Sequence, residues 1–144
     1  MDRYSQWVTD NDYEGFLDKL QMVINHKYST KYGYQKLVNA EFNTRQQVVI
    51  LRNILNDEVR HYQQFATMYL ALTGREPVPN ISREWLEDDP EVFFSSYLSE
   101  QKNVSIYNEL SERAPTPLFR EQFKRASADE QNHAIWFLSF LTVN

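Results

Sequence analysis

Cysteine is absent from the chain, which excludes a disulfide framework, a thiolate zinc site and an iron–sulfur cluster. Any bound metal must be held by oxygen and nitrogen, and the composition suits a reducing compartment. Glycine and proline are scarce, with 3 and 5 residues, so long helices meet few interruptions. No apolar run reaches the length of a bilayer span, and residues 1–7 lack the basic and apolar stretches of a signal peptide. The expectation is a cytoplasmic protein without a membrane partner. Basic residues form no stripe and the net charge is −5, which argues against nucleic acid as a partner.

What is present fits one compact helical domain over residues 1–144, large enough to bury a core. The few breakers fall in groups, and helices are predicted at about 12–40, 44–73, 90–113 and 117–142. Asn43 and Thr44 offer a cap to the second helix and Gly74 a stop. Pro90 is placed in the first turn of the third, and Thr116 with Pro117 opens the fourth. Gly33, deep inside the first helix, is at odds with it. Two connections are short, which makes their helices antiparallel neighbours. The stretch from Arg75 to Asp89 is about fifteen residues, enough to reach back along a helix about 45 Å long. A four-helix bundle with one long crossover between helices two and three follows, with Ile81, Trp85 and Leu86 pinning the crossover outside.

Helix two reads Leu51, Ile54, Glu58, His61, Phe65, Met68 and Leu72 along one face, and helix four reads Phe119, Phe123, Ala126, Glu130, His133, Phe137 and Phe140. Each apolar seam is interrupted by a Glu and a His three residues apart. Helix three adds Phe93, Tyr97, Glu100, Val104 and Tyr107. Ionisable groups on one core level demand a counter-charge, and a divalent metal supplies it. Carboxylate oxygens with imidazole nitrogens suit iron or manganese, and zinc also fits. The candidate metal ligands are therefore Glu58, His61, Glu100, Glu130 and His133; no catalytic residue is assigned. A single Glu-x-x-His is a weak signal, but two copies here use two of only 3 histidines. The competing interpretation is a buried polar network or a vestigial site.

At Asp57-Glu58-x-x-His61 and Asp129-Glu130-x-x-His133 the sequence resembles the ferritin-like superfamily, in particular rubrerythrin-like di-iron carboxylate proteins. The resemblance implies a ferritin-like four-helix bundle in which Glu58 and Glu130 bridge metals, His61 and His133 are terminal ligands, and Glu100 is a single-helix carboxylate. Asp57 and Asp129 would orient the histidines, although a surface pairing with Arg60 explains them as well. The implied cofactor is iron, as two ions or one, and the implied activity is a non-haem oxidoreductase, a peroxidase or ferroxidase acting on peroxide or dioxygen. Without cysteine an external reductant is required, and a homodimer is expected. Two alternatives stand beside it: a storage-type iron-binding protein, and a non-enzymatic helical module with an altered, partly vacant site.

One expected ligand is missing. Lys27 to Glu58 spans 31 residues and Glu100 to Glu130 spans 30, while Tyr34 and Tyr107 each lie seven residues beyond Lys27 and Glu100, so the halves form a weak repeat. The repeat puts Lys27 where the family would have a Glu. Three explanations stay open: His26 or Asn25 turns inward as a substitute, the site holds one firm metal and a weak or absent second, or the Lys27 ammonium replaces a metal's charge. A lysine snorkelling to solvent is the simpler competitor. Tyr34, Tyr107, Tyr62 and Tyr69 lie on or beside the ligand helices, either as packing with hydroxyls at the bundle edge or as redox and proton relays.

Overall fold

The computed structural model describes residues 10–82 and 88–142, and over them the chain is an all-α bundle of four helices. They are α1 (Asp10–Val38), α2 (Arg45–Thr73), α3 (Val92–Arg113) and α4 (Pro117–Leu141). Trp85, Leu86 and residues 1–7 lie outside the described residues, whereas Ile81 is half-buried.

Local chemistry sets most boundaries. Thr44 caps α2 with a reciprocal pair of bonds: its hydroxyl accepts from the Gln47 amide at 3.1 Å, and its own amide donates to the Gln47 side chain at 2.9 Å. Gly74 ends the helix at φ 74°, a left-handed conformation that favours glycine, and its amide donates to the Leu70 carbonyl. Pro117 sits in the first turn of α4 behind the Thr116 cap. The expectation for Pro90 fails by two residues. The Asp89 carboxylate accepts the Glu91 amide at 2.8 Å, making a turn at Pro90, and α3 begins only at Val92. Gly33 is accommodated within α1.

Helix α1 packs on α2 and α3 on α4, while α2 against α4 and α1 against α3 close the square. The Tyr13 hydroxyl near the start of α1 donates to the Leu72 carbonyl near the end of α2 at 2.7 Å, which makes that pair antiparallel. After α2 the chain lies against α1. The Asn80 amide donates to Asn25 Oδ1 at 3.3 Å, the Ser82 amide to Ser29 Oγ at 2.8 Å, and Asp88 pairs with Lys36. Among the described residues no helix is long and apolar enough to cross a membrane.

The core is divided in two. One apolar cluster gathers Leu20, Ile24, Phe65, Met68, Tyr107 and Phe123, with the Phe65 ring stacked on Phe123 at 5.1 Å. The other gathers Tyr34, Leu37, Leu51, Ile54, Phe137 and Phe140. Each buried phenylalanine contributes about 1.5–3 kcal/mol relative to exposure. In α1, α2 and α4 the charged core residues fall between the members of the two clusters, so a polar layer is held between two apolar ones.

Candidate functional site

Every ionisable residue of the polar layer is at most 1% exposed: Lys27, Glu58, His61, Glu100, Glu130 and His133. Glu58 and His61 share a face of α2, as Glu130 and His133 share a face of α4, because residues three apart stack on a helix. Glu100 comes from α3 and Lys27 from α1.

The Lys27 ammonium is ion-paired with Glu58 through Oε2 and with Glu130 through Oε1. It also stands 5.4 Å from the centre of the Tyr107 ring. The snorkelling lysine is thereby excluded. Neither substitute ligand turns inward: Asn25 accepts from the Asn80 amide, and His26 Nε2 lies 3.2 Å from Ser99 Oγ. Of the three explanations, the substitute ligand is set aside, and the Lys27 ammonium lies in a salt-bridged network with Glu58 and Glu130.

The remaining carboxylate oxygens converge on the opposite side. His133 Nδ1 lies 3.1 Å from Glu130 Oε2, 3.2 Å from Glu58 Oε1 and 3.4 Å from Glu100 Oε2. Glu58, Glu100, Glu130 and His133 each offer an atom within 4.8 Å of the others, a group that could hold a metal ion. His61, the fifth predicted ligand, stands at the edge of this group with its Nδ1 3.7 Å from Glu58 Oε1. Glu58 Oε1, Glu100 Oε2 and His61 Nδ1 are buried with no well-aligned hydrogen bond; for the two oxygens the His133 ring is the neighbour, at 3.2 and 3.4 Å. Such atoms are costly to leave unsatisfied.

The far side of each imidazole is tied to the opposite helix. His133 Nε2 is 2.7 Å from Asp57 on α2, and His61 Nε2 is 2.8 Å from Asp129 on α4. Arg60 bridges both aspartates, at 3.2 Å from Asp57 and 2.9 Å from Asp129. The two sequence explanations for these aspartates hold together. A carboxylate on Nε2 leaves Nδ1 facing the glutamates.

Electrostatics follow from the geometry. Burial alone would lower the Lys27 pKa, but the Glu130 and Glu58 carboxylates outweigh it and hold it well above the usual lysine range. Burial would raise Glu58, yet the Lys27 charge and bonds from His133 and His61 hold it well below the carboxylate range. Glu130 moves the other way, raised by burial and by repulsion from Glu100 and Glu58. His133 is raised above the imidazole range because its bonds to Asp57, Glu100, Glu130 and Glu58 outweigh its burial.

One contributor escaped the sequence reading: Asn103, buried on α3, donates to Glu130 Oε1 at 3.4 Å. The Tyr34 hydroxyl donates to Glu100 Oε1 at 2.7 Å, in the core rather than at the bundle edge. Tyr107 is also fully buried, while Tyr62 and Tyr69 are half-buried beside the first cluster.

No family model matches the chain. No solved structure matches it either. It is similar to the uncharacterized protein YhjR of Bacillus subtilis (strain 168), with 32% identity over 124 residues, covering 85% of this chain and 83% of the relative. At that identity and coverage, the chain belongs to the family of the Bacillus subtilis protein YhjR.

Proposed function

We propose that the protein binds one divalent transition-metal ion through Glu58, Glu100, Glu130 and His133, with the Lys27 ammonium standing where a second ion would sit. The single observation that carries this is the convergence of buried donor atoms from Glu58, Glu100, Glu130 and His133, all within 4.8 Å of one another. The donor set of hard oxygens and one imidazole suits iron or manganese, and zinc also fits. The ferritin-like resemblance gains support from the connection after α2, which touches α1 near Asn25, Ser29 and Lys36 in order, as one long crossover requires.

The function we assign is a non-haem oxidoreductase using peroxide or dioxygen and an external reductant. A bound iron or manganese would supply the redox change. The residues of the chain do the rest. Asp57 and Asp129 orient the imidazoles, Lys27 neutralises the carboxylate oxygens turned away from the metal position, and the two apolar clusters keep bulk water out. Because ligands must shed protons to bind, metal affinity rises with pH.

A specific observation also favours a second reading, a metal-free structural module. Lys27 with a protonated His133 already offsets much of the carboxylate charge. Elemental analysis of untagged protein separates the two. The metal reading expects about one ion per chain, lost in the doubly substituted His61→Ala, His133→Ala protein while the helices persist. Metal retained by that variant, or none in the parent after reconstitution with ferrous iron, rejects it.

A further inference from the structure

A cavity of about 590 Å³ opens between α1 and α3, and Tyr34 is among its lining residues. That residue belongs at once to the cavity and to the metal centre, since its hydroxyl donates to Glu100 at 2.7 Å. The volume is out of proportion to peroxide or dioxygen. A water occupies about 30 Å³, so a molecule of two heavy atoms fills about a tenth of the space. Pockets of several hundred Å³ suit organic ligands.

The lining indicates which organic ligand. Leu37, Phe42 and Val92 make an apolar wall, and Ser96, Ser99 and His26 supply hydrogen-bonding groups. None of these six side chains brings a fixed charge at neutral pH: burial and the neighbouring Lys27 charge lower His26 from 6.5 to about 4, so its imidazole is neutral. Charges lie apart from them, where Asp88 and Asp89 also line the cavity and Lys36 is already paired with Asp88. An anionic head group would lose its hydration, meet two acids and find no uncommitted cation. Gly33, the residue at odds with a helix in the sequence, lines this cavity as well.

We propose that this cavity binds an uncharged organic molecule with an apolar, ring-sized body and a single hydroxyl, of the phenol class, its hydroxyl meeting Ser96, Ser99 and His26 and its body lying on Leu37, Phe42 and Val92. The binding claim rests on the cavity alone. That the molecule is a substrate rests on the metal reading above, through the contact between Tyr34 and Glu100.

The test is a fluorescence titration of the full chain with 1-naphthol at pH 7, before and after chelation, compared with 1-naphthoate, which carries a carboxylate on the same ring system. Saturable binding of one 1-naphthol per chain is expected, tighter than that of 1-naphthoate and retained after chelation, because no candidate metal ligand lines the cavity. Ala40→Trp fills the mouth from the half-buried turn beyond α1, and Ser96→Leu replaces a hydroxyl with bulk. Each should weaken binding by about tenfold or more, with metal content unchanged. Absence of saturation up to about 1 mM, a contact class too weak to matter, overturns the proposal. So does equal or tighter binding of 1-naphthoate, or wild-type affinity in Ala40→Trp. If Ser96→Leu fails to fold, Ala40→Trp alone decides. A protein that never takes up metal yet binds 1-naphthol refutes the metal reading and leaves the pocket standing.

Discussion

His133 on α4 is tied through Nε2 to Asp57 on α2 at 2.7 Å, and this one contact determines which nitrogen of the ring faces the glutamates. Its counterpart, His61 with Asp129 at 2.8 Å, runs from α2 back to α4. The two helices exchange the same bond, so each motif supplies a ligand for its own side and an orienting group for the other.

Asp57→Asn should therefore lower metal affinity by about 10–100-fold, since an amide neither carries the charge nor fixes the tautomer as a carboxylate does, and Asp129→Asn, whose histidine stands at the edge of the group, should lower it less. Competition against a chromophoric chelator measures it. Unchanged affinity in Asp57→Asn would mean that Asp57 serves Arg60 and not the site.

Lys27→Glu removes the ammonium and adds an oxygen donor, and should raise iron from about one toward two ions per chain. Lys27→Met removes the charge without replacing it. In metal-free protein it should cost about 3–5 kcal/mol, the range for breaking a buried pair on one side. Elemental analysis reads the first and urea unfolding the second; unchanged occupancy in Lys27→Glu would show that the ammonium does not hold a metal's place.

The two tyrosines of the repeat should differ. Tyr34→Phe deletes a hydrogen bond to the buried Glu100 carboxyl and should destabilise by about 1.5–3 kcal/mol. Tyr107→Phe deletes a buried hydroxyl that donates to no carboxylate, its polar neighbour being the Lys27 ammonium, and should cost less than Tyr34→Phe. Equal losses from the two substitutions, measured by urea unfolding, would refute the distinction.

His26 makes stability depend on acid. Its pKa falls from 6.5 to about 4 on folding, through burial and the charges of Lys27 and Lys102 against that of Glu58. Between those values the unfolded chain binds a proton that the folded chain refuses. Stability therefore drops as pH falls from about 6.5 to about 4, and this contribution levels off below. His26→Gln should remove a loss on the order of 3 kcal/mol between pH 7.5 and pH 4. Superimposable stability profiles for parent and variant over that range would reject the assignment.

Much of this was legible in the sequence because the chemistry is local. The cap at Thr44, the stop at Gly74 and the opening at Pro117 each depend on residues within one turn. The seams of α2 and α4 were readable because Glu58, His61, Glu130 and His133 interrupt otherwise apolar rows. On α3 the reading slipped toward the aromatics. Phe93, Tyr97 and Val104 are only half-buried, while Ser96 and Asn103 are buried, because polar side chains can enter a core when a distant partner satisfies them. The repeat pointed to Lys27, but its two ion pairs join residues 31 and 103 apart and carry no sequence signature. The aspartates were expected to orient the histidines, but their crossing was not legible: Asp57 neighbours Glu58 in sequence yet reaches a histidine on another helix.

The placement of the charged layer between two greasy ones also acts as a length gauge for assembly. Side chains of the outer layers are chemically alike, and a hydrophobic contact alone would tolerate one helix sliding past another by a turn. Such a slip of α4 along α2 would carry Glu130 away from Lys27 and toward phenylalanine rings, leaving a bare buried carboxylate. One partner of a buried pair left alone costs about 3–5 kcal/mol, a large fraction of the about 5–15 kcal/mol net stability of a domain. The ion pairs of Lys27 thus serve as an alignment pin: whatever they add to stability, they allow the helices only one vertical position.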